Sequence, residues 1–383
     1  MSINDIIVYI MVIFMALGAI DKIIGNKFGL GEQFEEGIMA MGSLAVAMVG
    51  VISLAPVLAK ILTPIVSPIY TALGADPAMF ATTLLANDMG GYPLAVEMAQ
   101  TPEAGLFAGL ILGAMMGPTI VFTIPVALGI IKKEDHKFLA TGILAGIVTI
   151  PIGALVGGMV AGFSLGMILS NLVPIIIVAI LIALGLWKMP NKMIKGFTVF
   201  GRGVVIVITA GLASIIIETL TGLVIIPGMA PIWDGIEIVG SIAIVLAGAF
   251  PMVYVITKVF KKPLLKVGKL LGMNDVAAAG MVATLANNIP MFGLMKDMDE
   301  RGKIINVAFA VSAAFVFGDH LGFTAGVAQE MIFPMVVGKL VGGITAVIVA
   351  VLIANKTVQK STESAPVQTP SDLASKGAID NEY

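Results

Sequence analysis

The feature that most constrains the fold is the recurrence of apolar runs of about 20 residues from one end of the chain to the other. A helix of that length crosses the roughly 30 Å hydrocarbon core of a bilayer. Only 12% of the residues are charged, whereas soluble domains carry about 25%. The sequence therefore predicts an all-α polytopic membrane protein.

The hydropathy pattern predicts nine full spans and leaves two shorter segments over. The predicted spans are 5–24, 37–60, 104–131, 138–162, 165–187, 204–226, 237–260, 304–325 and 331–354. The remaining segments, 77–98 and 277–298, are apolar but interrupted by Asn, Gly and Pro residues. They are either re-entrant hairpins or two further crossings, which would make 11 spans.

The two halves of the chain resemble each other at a nearly constant offset, which predicts a duplication. With a shift of 198, residues Gly37, Ser43, Gly50 and Lys60 align with Gly235, Ser241, Gly248 and Lys258. With a shift of 200, Asn87, Leu94 and Met98 align with Asn287, Leu294 and Met298. With a shift of 201, Gly117, Phe122 and Thr123 align with Gly318, Phe323 and Thr324.

Loop charges predict that the two repeats have inverted topology. Lys132, Lys133 and Lys137 correspond to the loop Gly326–Glu330, which has no basic residue, and the bias reverses at three other corresponding loops as well. Cytoplasmic loops are the ones enriched in Lys and Arg. Two hairpins place nearly every basic loop in the cytoplasm, whereas 11 crossings do not, so we expect nine spans and two hairpins.

The repeat divides the chain into four parts. We predict a first membrane repeat over 1–162, a linking span and cytoplasmic loop over 163–195, and a second membrane repeat over 196–355. Residues 356–383 are polar and rich in Ser, Thr, Pro and Ala. That composition predicts a disordered cytoplasmic tail.

The interrupted segments are the predicted functional site, near the membrane midplane. Helix-breaking residues at matching positions of two repeats are the best sequence indication of a transporter's substrate site. Each segment has a partner motif downstream, Gly117-Pro118-Thr119 in the first half and Gly318-Asp319-His320 in the second. The candidate substrate-binding residues are Asn87, Asp88, Tyr92, Thr119, Asn287, Asn288, Phe292, Asp319 and His320.

Each candidate has a structural alternative. Asp88 and Asp319 could contact a cation or handle protons, or they could cap half-helices. His320 could act on substrate or a proton, or orient Asp319. The asparagines could bind a hydroxyl or serve as caps, and the aromatic rings could face an ammonium or pack in the core. Lys339 could neutralise a carboxylate or extend its amine to the membrane surface.

Other classes of function have little support. The chain has no Cys and two His, which argues against a metal site or a redox centre, and its net charge of −2 gives no indication of nucleic acid. Gly318-Asp319 resembles part of the intramembrane aspartyl protease motif, but Val316 occupies the position of the motif's first glycine. We therefore predict a non-enzymatic protein with no cofactor.

Several long strings in this sequence resemble the bacterial ethanolamine utilisation permease family. They include NDMGG at 87–91, MGPTIVF at 116–122, MVATLANNIPMFG at 281–293 and GDHLGF at 318–323. The resemblance extends from Phe34 to Gly343. It implies a multi-pass protein of the bacterial cytoplasmic membrane that takes up ethanolamine, a small amino-alcohol cation, as a uniporter or with proton coupling.

Two other kinds of transport stay open from the sequence. The alternatives are a permease for another small amine or a nucleoside, and a passive channel. The expected partners are ethanolamine and membrane lipid, and the Gly-rich spans could also pack across subunits in a homodimer.

Overall fold

The computed structural model describes residues 2–363, apart from the side chains of 260, 261, 264 and 356–363. Within this part of the chain the fold consists of helices and connecting turns, with no strand. Seven helices are long and apolar enough to cross a membrane, or eight if the bent pair Pro102–Leu112 and Met116–Ile130 forms one span. The predicted all-α membrane protein is confirmed at this level.

Polar caps set the starts of several helices. Ser2, Thr101, Ser164, Asn274 and Asp299 each accept a hydrogen bond from a backbone N–H in the first helical turn. Such caps satisfy N–H groups that have no partner within the helix.

The helices of the first half are α1 (Ile3–Ile23), α2 (Leu30–Ala72), α3 (Ala78–Leu84), α4 (Gly91–Met98), α5 (Pro102–Leu106), α6 (Met116–Pro118), α7 (Ile124–Ile130), α8 (His136–Ile147) and α9 (Ile150–Val160). Two π-helical stretches, Phe107–Leu112 and Thr119–Thr123, connect α5, α6 and α7. Short 3-10 turns lie at Asn87–Met89, Lys133–Asp135, Met295–Asp297 and Gln329–Met331.

The remaining helices are α10 (Leu165–Lys188), α11 (Pro190–Thr221), α12 (Ile232–Leu270), α13 (Asp275–Ala286), α14 (Asn288–Leu294), α15 (Glu300–Ala313), α16 (Asp319–Val327) and α17 (Ile332–Glu363). Helix α17 continues through the first residues of the predicted tail. The rest of that tail, residues 364–383, lies outside the described part of the chain.

Two of the nine predicted spans are not continuous helices. The predicted span 104–131 bends by 40° at a break after Leu112. The predicted span 304–325 stops at Ala313 and resumes at Asp319. Phe315 adopts a φ of +63° within that second break, a left-handed conformation that does not continue a helix. The count of nine uninterrupted spans is therefore not confirmed.

The two longest helices, α2 and α12, pack against each other in antiparallel orientation. A Cβ added at Gly37 would lie 2.5 Å from the Ala247 backbone nitrogen, and one added at Gly235 would lie 3.0 Å from the Val49 Cα. The contacting positions therefore rise in residue number along α2 while their partners fall in residue number along α12. Glycine at these positions permits the close approach of the two backbones.

Each interrupted segment ends beside its own beginning. In the first, the Asp76 carboxylate accepts from the backbone N–H of Ala78 and, 24 positions away, from that of Gln100, both at 2.9 Å. In the second, the Asn274 backbone N–H donates to the Asp299 carboxylate over 2.8 Å. Helix α3 packs on α4, and α13 packs on α14. Both segments thus fold back on themselves.

The fold-back segments pack directly on the breaks in the long helices. The Asn87 backbone N–H donates to the Gly113 carbonyl over 2.9 Å. In the second half, the backbone N–H groups of Phe315 and Phe317 donate to the carbonyls of Thr284 and Leu285, at 3.1 and 2.9 Å. These bonds satisfy backbone groups that the interruptions leave free, as burial requires.

A buried ion pair connects the start of α15 to the turn before α8. Lys303 Nζ lies 2.6 Å from Asp135 Oδ1, and the two side chains are only 12% and 5% exposed. Replacing Lys303 with Met leaves the carboxylate buried without its partner, which costs about 3–5 kcal/mol. We expect the melting temperature of the detergent-solubilised protein to fall clearly.

The neighbouring pair between Lys137 and Glu300 is a matched control. Its atoms lie 3.6 Å apart and both side chains are mostly exposed, so a Lys137→Met change should cost about 1 kcal/mol or less. Equal melting temperatures for the two variants would show that burial does not strengthen the Lys303 pair.

Candidate functional site

A cavity of about 260 Å³ lies where α2, the first fold-back segment and the two broken helices meet. Three of the nine candidate residues, Asp88, Asp319 and His320, line this cavity together. The full lining consists of Ser43, Leu44, Ala47, Ala86, Asp88, Met89, Pro118, Phe122, Phe315, Asp319 and His320.

The two carboxylates reach the cavity from breaks in different halves of the chain. Asp88 lies in the 3-10 turn Asn87–Met89, which Gly90 ends with a φ of +91°. Asp319 is the first residue of α16. Both side chains are half-buried. Ionisable groups are costly inside a membrane and mark functional positions, and two carboxylates on one cavity favour a cationic ligand.

His320 is held by a buried lysine on α17. His320 is 2% exposed and Lys339 is 1% exposed. Lys339 Nζ lies 2.9 Å from His320 Nδ1 and also donates to the Ala114 carbonyl. A protonated Lys339 has only donors, and in that state Nδ1 accepts and Nε2 carries the imidazole hydrogen. Lys339 is buried away from the surface, so it does not extend its amine there. It forms no ion pair within 4.0 Å among the described side chains, but it interacts electrostatically with Asp88 at longer range.

One wall of the cavity is aromatic. Phe122 and Phe315 pack edge to face with ring centroids 5.6 Å apart. The His320 ring lies 5.2 Å from that of Phe315. Aromatic faces attract cations, so the wall complements the two carboxylates.

The three candidate asparagines have different environments. Asn87 is fully buried, and neither of its amide atoms has a hydrogen-bond partner among the described residues. Asn288 is also buried and donates through Nδ2 to Thr123 Oγ1 over 3.0 Å. Asn287 caps α14, with its side chain accepting from the Ile289 N–H over 2.8 Å. None of the three is part of the cavity lining.

The other three candidates also lie outside the lining. Tyr92 packs edge to face on Phe323, with ring centroids 5.7 Å apart. Thr119 donates to the Met115 carbonyl over 2.9 Å. Phe292 is 1% exposed and belongs to the apolar core.

The sequence did not single out Ser43 and Phe315 as site residues. Ser43 lies in a run of small apolar residues on α2, and its only signal was its match to Ser241 across the repeat. Phe315 lies in the unpredicted break of the second half. The described residues contain no cluster of three His, Asp or Glu side chains able to hold a metal ion.

Comparisons with known proteins agree on one family. The family model described as "Ethanolamine utilisation protein, EutH" matches residues 3–353. The "Probable ethanolamine permease EutH" of Listeria monocytogenes is 78% identical over 88% of this chain and 91% of that protein. The Escherichia coli protein of the same name is 54% identical over 88% of this chain and 92% of that protein.

One similar protein has no assigned function. The "Uncharacterized protein YxeR" of Bacillus subtilis is 57% identical over 88% of this chain and 92% of that protein. No solved structure matches the chain. The bacterial relatives and the apolar helices make this a multi-pass integral protein of the bacterial inner membrane. By the extent of these matches, the chain belongs to the ethanolamine utilisation protein EutH family.

Proposed function

We propose that this protein transports ethanolamine across the inner membrane through the cavity between Asp88 and Asp319. The observation that carries the proposal is that these two carboxylates, from different halves of the chain, line one cavity with two aromatic rings. The relatives named as ethanolamine permeases point to the same substrate.

The cavity offers a partner for each end of ethanolamine. Asp88 and Asp319 would hold the ammonium, which also faces Phe122 and Phe315. The substrate hydroxyl would accept from His320 Nε2 or donate to the oxygen of Ser43, whose own hydrogen goes to a backbone carbonyl. Five of the remaining candidates, Asn87, Asn287, Asn288, Tyr92 and Phe292, would act by shaping the two fold-back segments. Thr119 would hold the broken helix of the first half against the Val311 carbonyl, to which it donates over 3.2 Å.

The size of the cavity suits a small substrate. One water occupies about 30 Å³ of the liquid, so about 260 Å³ accommodates the four non-hydrogen atoms of ethanolamine with several waters. Its polar groups are few, whereas a nucleoside has several hydroxyls to satisfy, so the small amine is the better fit.

We further propose that the two halves are inverted repeats that give alternating access. The antiparallel packing of α2 and α12 supports this, because these helices correspond at the offset of 198. The return of each interrupted segment to its own start supports two re-entrant hairpins near the midplane. Movement of one hairpin while the other stays closed would expose the cavity to one side at a time.

Uptake of radiolabelled ethanolamine into proteoliposomes tests the proposal. An inside-negative potential contributes about 2.3 kcal/mol per charge per 100 mV, so it should drive saturable uptake of the cation. Acceleration by external ethanolamine of the release of internal label would identify a carrier. Flux that rises linearly with concentration would instead identify a channel.

The gradient that drives uptake separates two mechanisms. Uptake that follows the potential alone identifies a uniporter, and uptake that also requires a pH gradient identifies proton coupling and favours Asp319 and His320 as the proton relay. Absence of uptake under every gradient would reject ethanolamine as the substrate.

A Phe122→Leu change should weaken substrate binding while leaving the fold intact. Phe122 lines the cavity, and loss of a cation–π contact costs about 0.5–2 kcal/mol. We expect KM for ethanolamine to rise by about 2- to 30-fold. Phe163, whose ring packs edge to face on Phe107 outside the cavity, provides the matched control. An equal KM for Phe122→Leu and wild type would show that the Phe122 ring does not contribute to substrate binding.

A further inference from the structure

Lys339 is a buried basic side chain to which the proposed transport mechanism gives no role. Its side chain is 1% exposed, and its hydrogen-bond partners within the described part of the chain are the Ala114 carbonyl and His320 Nδ1. It lies in the eighth position of α17, about 10 Å along the helix. A buried charge is costly unless the structure compensates it.

The local backbone suits a positive charge at this position. Ala114 lies in the break that follows the π-helical stretch Phe107–Leu112. Carbonyl groups at the end of a helix lack helical partners and form the negative end of its dipole. The Ala114 carbonyl and the imidazole acceptor together give the Lys339 ammonium two partners.

The charge state in which both carboxylates are ionised and Lys339 is protonated leaves one negative charge around the cavity. In that state Asp88 and Asp319 carry two negative charges, and Lys339, which interacts electrostatically with Asp88, carries one positive charge. The imidazole that accepts from Lys339 is then neutral. Glu36, on α2, is a further acidic group that interacts electrostatically with Asp319. Its side chain is exposed, so solvent screens this interaction.

We propose that Lys339 sets the net charge of the cavity at minus one and so restricts it to a single monovalent ammonium. This inference rests on the proposed function and makes Lys339 a specificity-determining residue. Without Lys339 the two carboxylates would be matched by a dication or by one cation and one proton. Without Asp88 the cavity would be neutral and would not retain a cation.

Binding of a monovalent and a divalent amine measures this selectivity. We would titrate the purified full-length protein with ethanolamine and with diaminopropane, which carries two ammonium groups at neutral pH. Wild type should prefer ethanolamine, and Lys339→Gln should shift the preference toward the diamine by at least about tenfold. Lys339→Arg keeps the charge and should keep the preference for ethanolamine.

A double variant gives the sharper test. Asp88→Asn alone should lose ethanolamine binding, and adding Lys339→Gln should restore it, because the pair of changes returns the net charge to minus one. Unchanged selectivity in Lys339→Gln, or no recovery in the double variant, would overturn the inference.

Melting temperatures measured without any amine test the same inference if a single variant folds poorly. Lys339→Gln should melt below wild type, and the double variant should recover part of that loss. A double variant that melts no higher than Lys339→Gln would count against charge compensation. Failure of wild type to bind ethanolamine would refute the proposed substrate, whereas the melting series tests the role of Lys339 independently.

Discussion

An Asp88→Asn variant is expected to lose ethanolamine uptake while still inserting into the membrane. Asp88 lies on the cavity and would pair there with the ammonium of ethanolamine. Removal of one partner from a buried charge pair costs about 2–5 kcal/mol. Uptake should therefore fall by at least about 30-fold. Asp319→Asn should have a comparable effect, since its carboxylate lies on the same cavity.

The control for Asp88→Asn is a second carboxylate on the same fold-back segment. Glu97 lies on α4 and is exposed, so Glu97→Gln removes an equal charge away from the cavity and should transport normally. Initial rates of uptake should be compared at equal amounts of protein in the membrane. Wild-type rates of uptake for Asp88→Asn would contradict the proposal that this carboxylate binds the substrate.

The sequence predicted the part of the site that rests on helix-breaking residues. Gly90 interrupts the apolar segment 77–98, so this break was visible without a structure, and the Gly318-Asp319 pair was visible as a motif inside the predicted span 304–325. Charged residues within such segments are rare, which singled out Asp88 and Asp319. The structure brings both to one cavity, Asp88 from the fold-back segment of the first half and Asp319 from the break in the long helix of the second half.

The breaks in the long helices were harder to predict. The stretch GLILGAMMGPTIVF, residues 109–122, has Thr119 as its only polar side chain, and hydropathy does not distinguish a continuous helix from a bent one. The hydrogen-bond partners of Lys339 also could not be predicted from the sequence. His320 and Ala114 lie 19 and 225 positions away, and only tertiary packing brings them to its ammonium.

The second large effect is expected from alanine at the glycines of the two partner motifs. A Cβ at Gly117 would overlap the Leu85 carbonyl oxygen, and a Cβ at Gly318 would overlap that of Ala286. Both oxygens belong to the backbone of a fold-back segment, so no side chain can rotate away. Overpacking of this kind costs about 1–3 kcal/mol or more.

Displacement of a fold-back segment would also change the shape of the cavity. Pro118 and Asp319 follow the two glycines directly, and both line the cavity. We therefore expect Gly117→Ala and Gly318→Ala each to lower the melting temperature. Uptake should fall by about tenfold or more, the factor that corresponds to about 1.4 kcal/mol on the transport-competent arrangement.

Gly129 allows the steric effect to be separated from the loss of glycine itself. It lies in α7, in the same broken helix as Gly117, and a Cβ there would meet no atom within 4 Å. Gly129 is the last residue but one of α7, where the preference of a helix for alanine over glycine has little effect, so Gly129→Ala should transport normally and melt close to wild type. If Gly117→Ala behaved like Gly129→Ala, the fold-back segment could not be packed on the break in the working transporter. The cavity would then have to be formed by a different arrangement of these two elements.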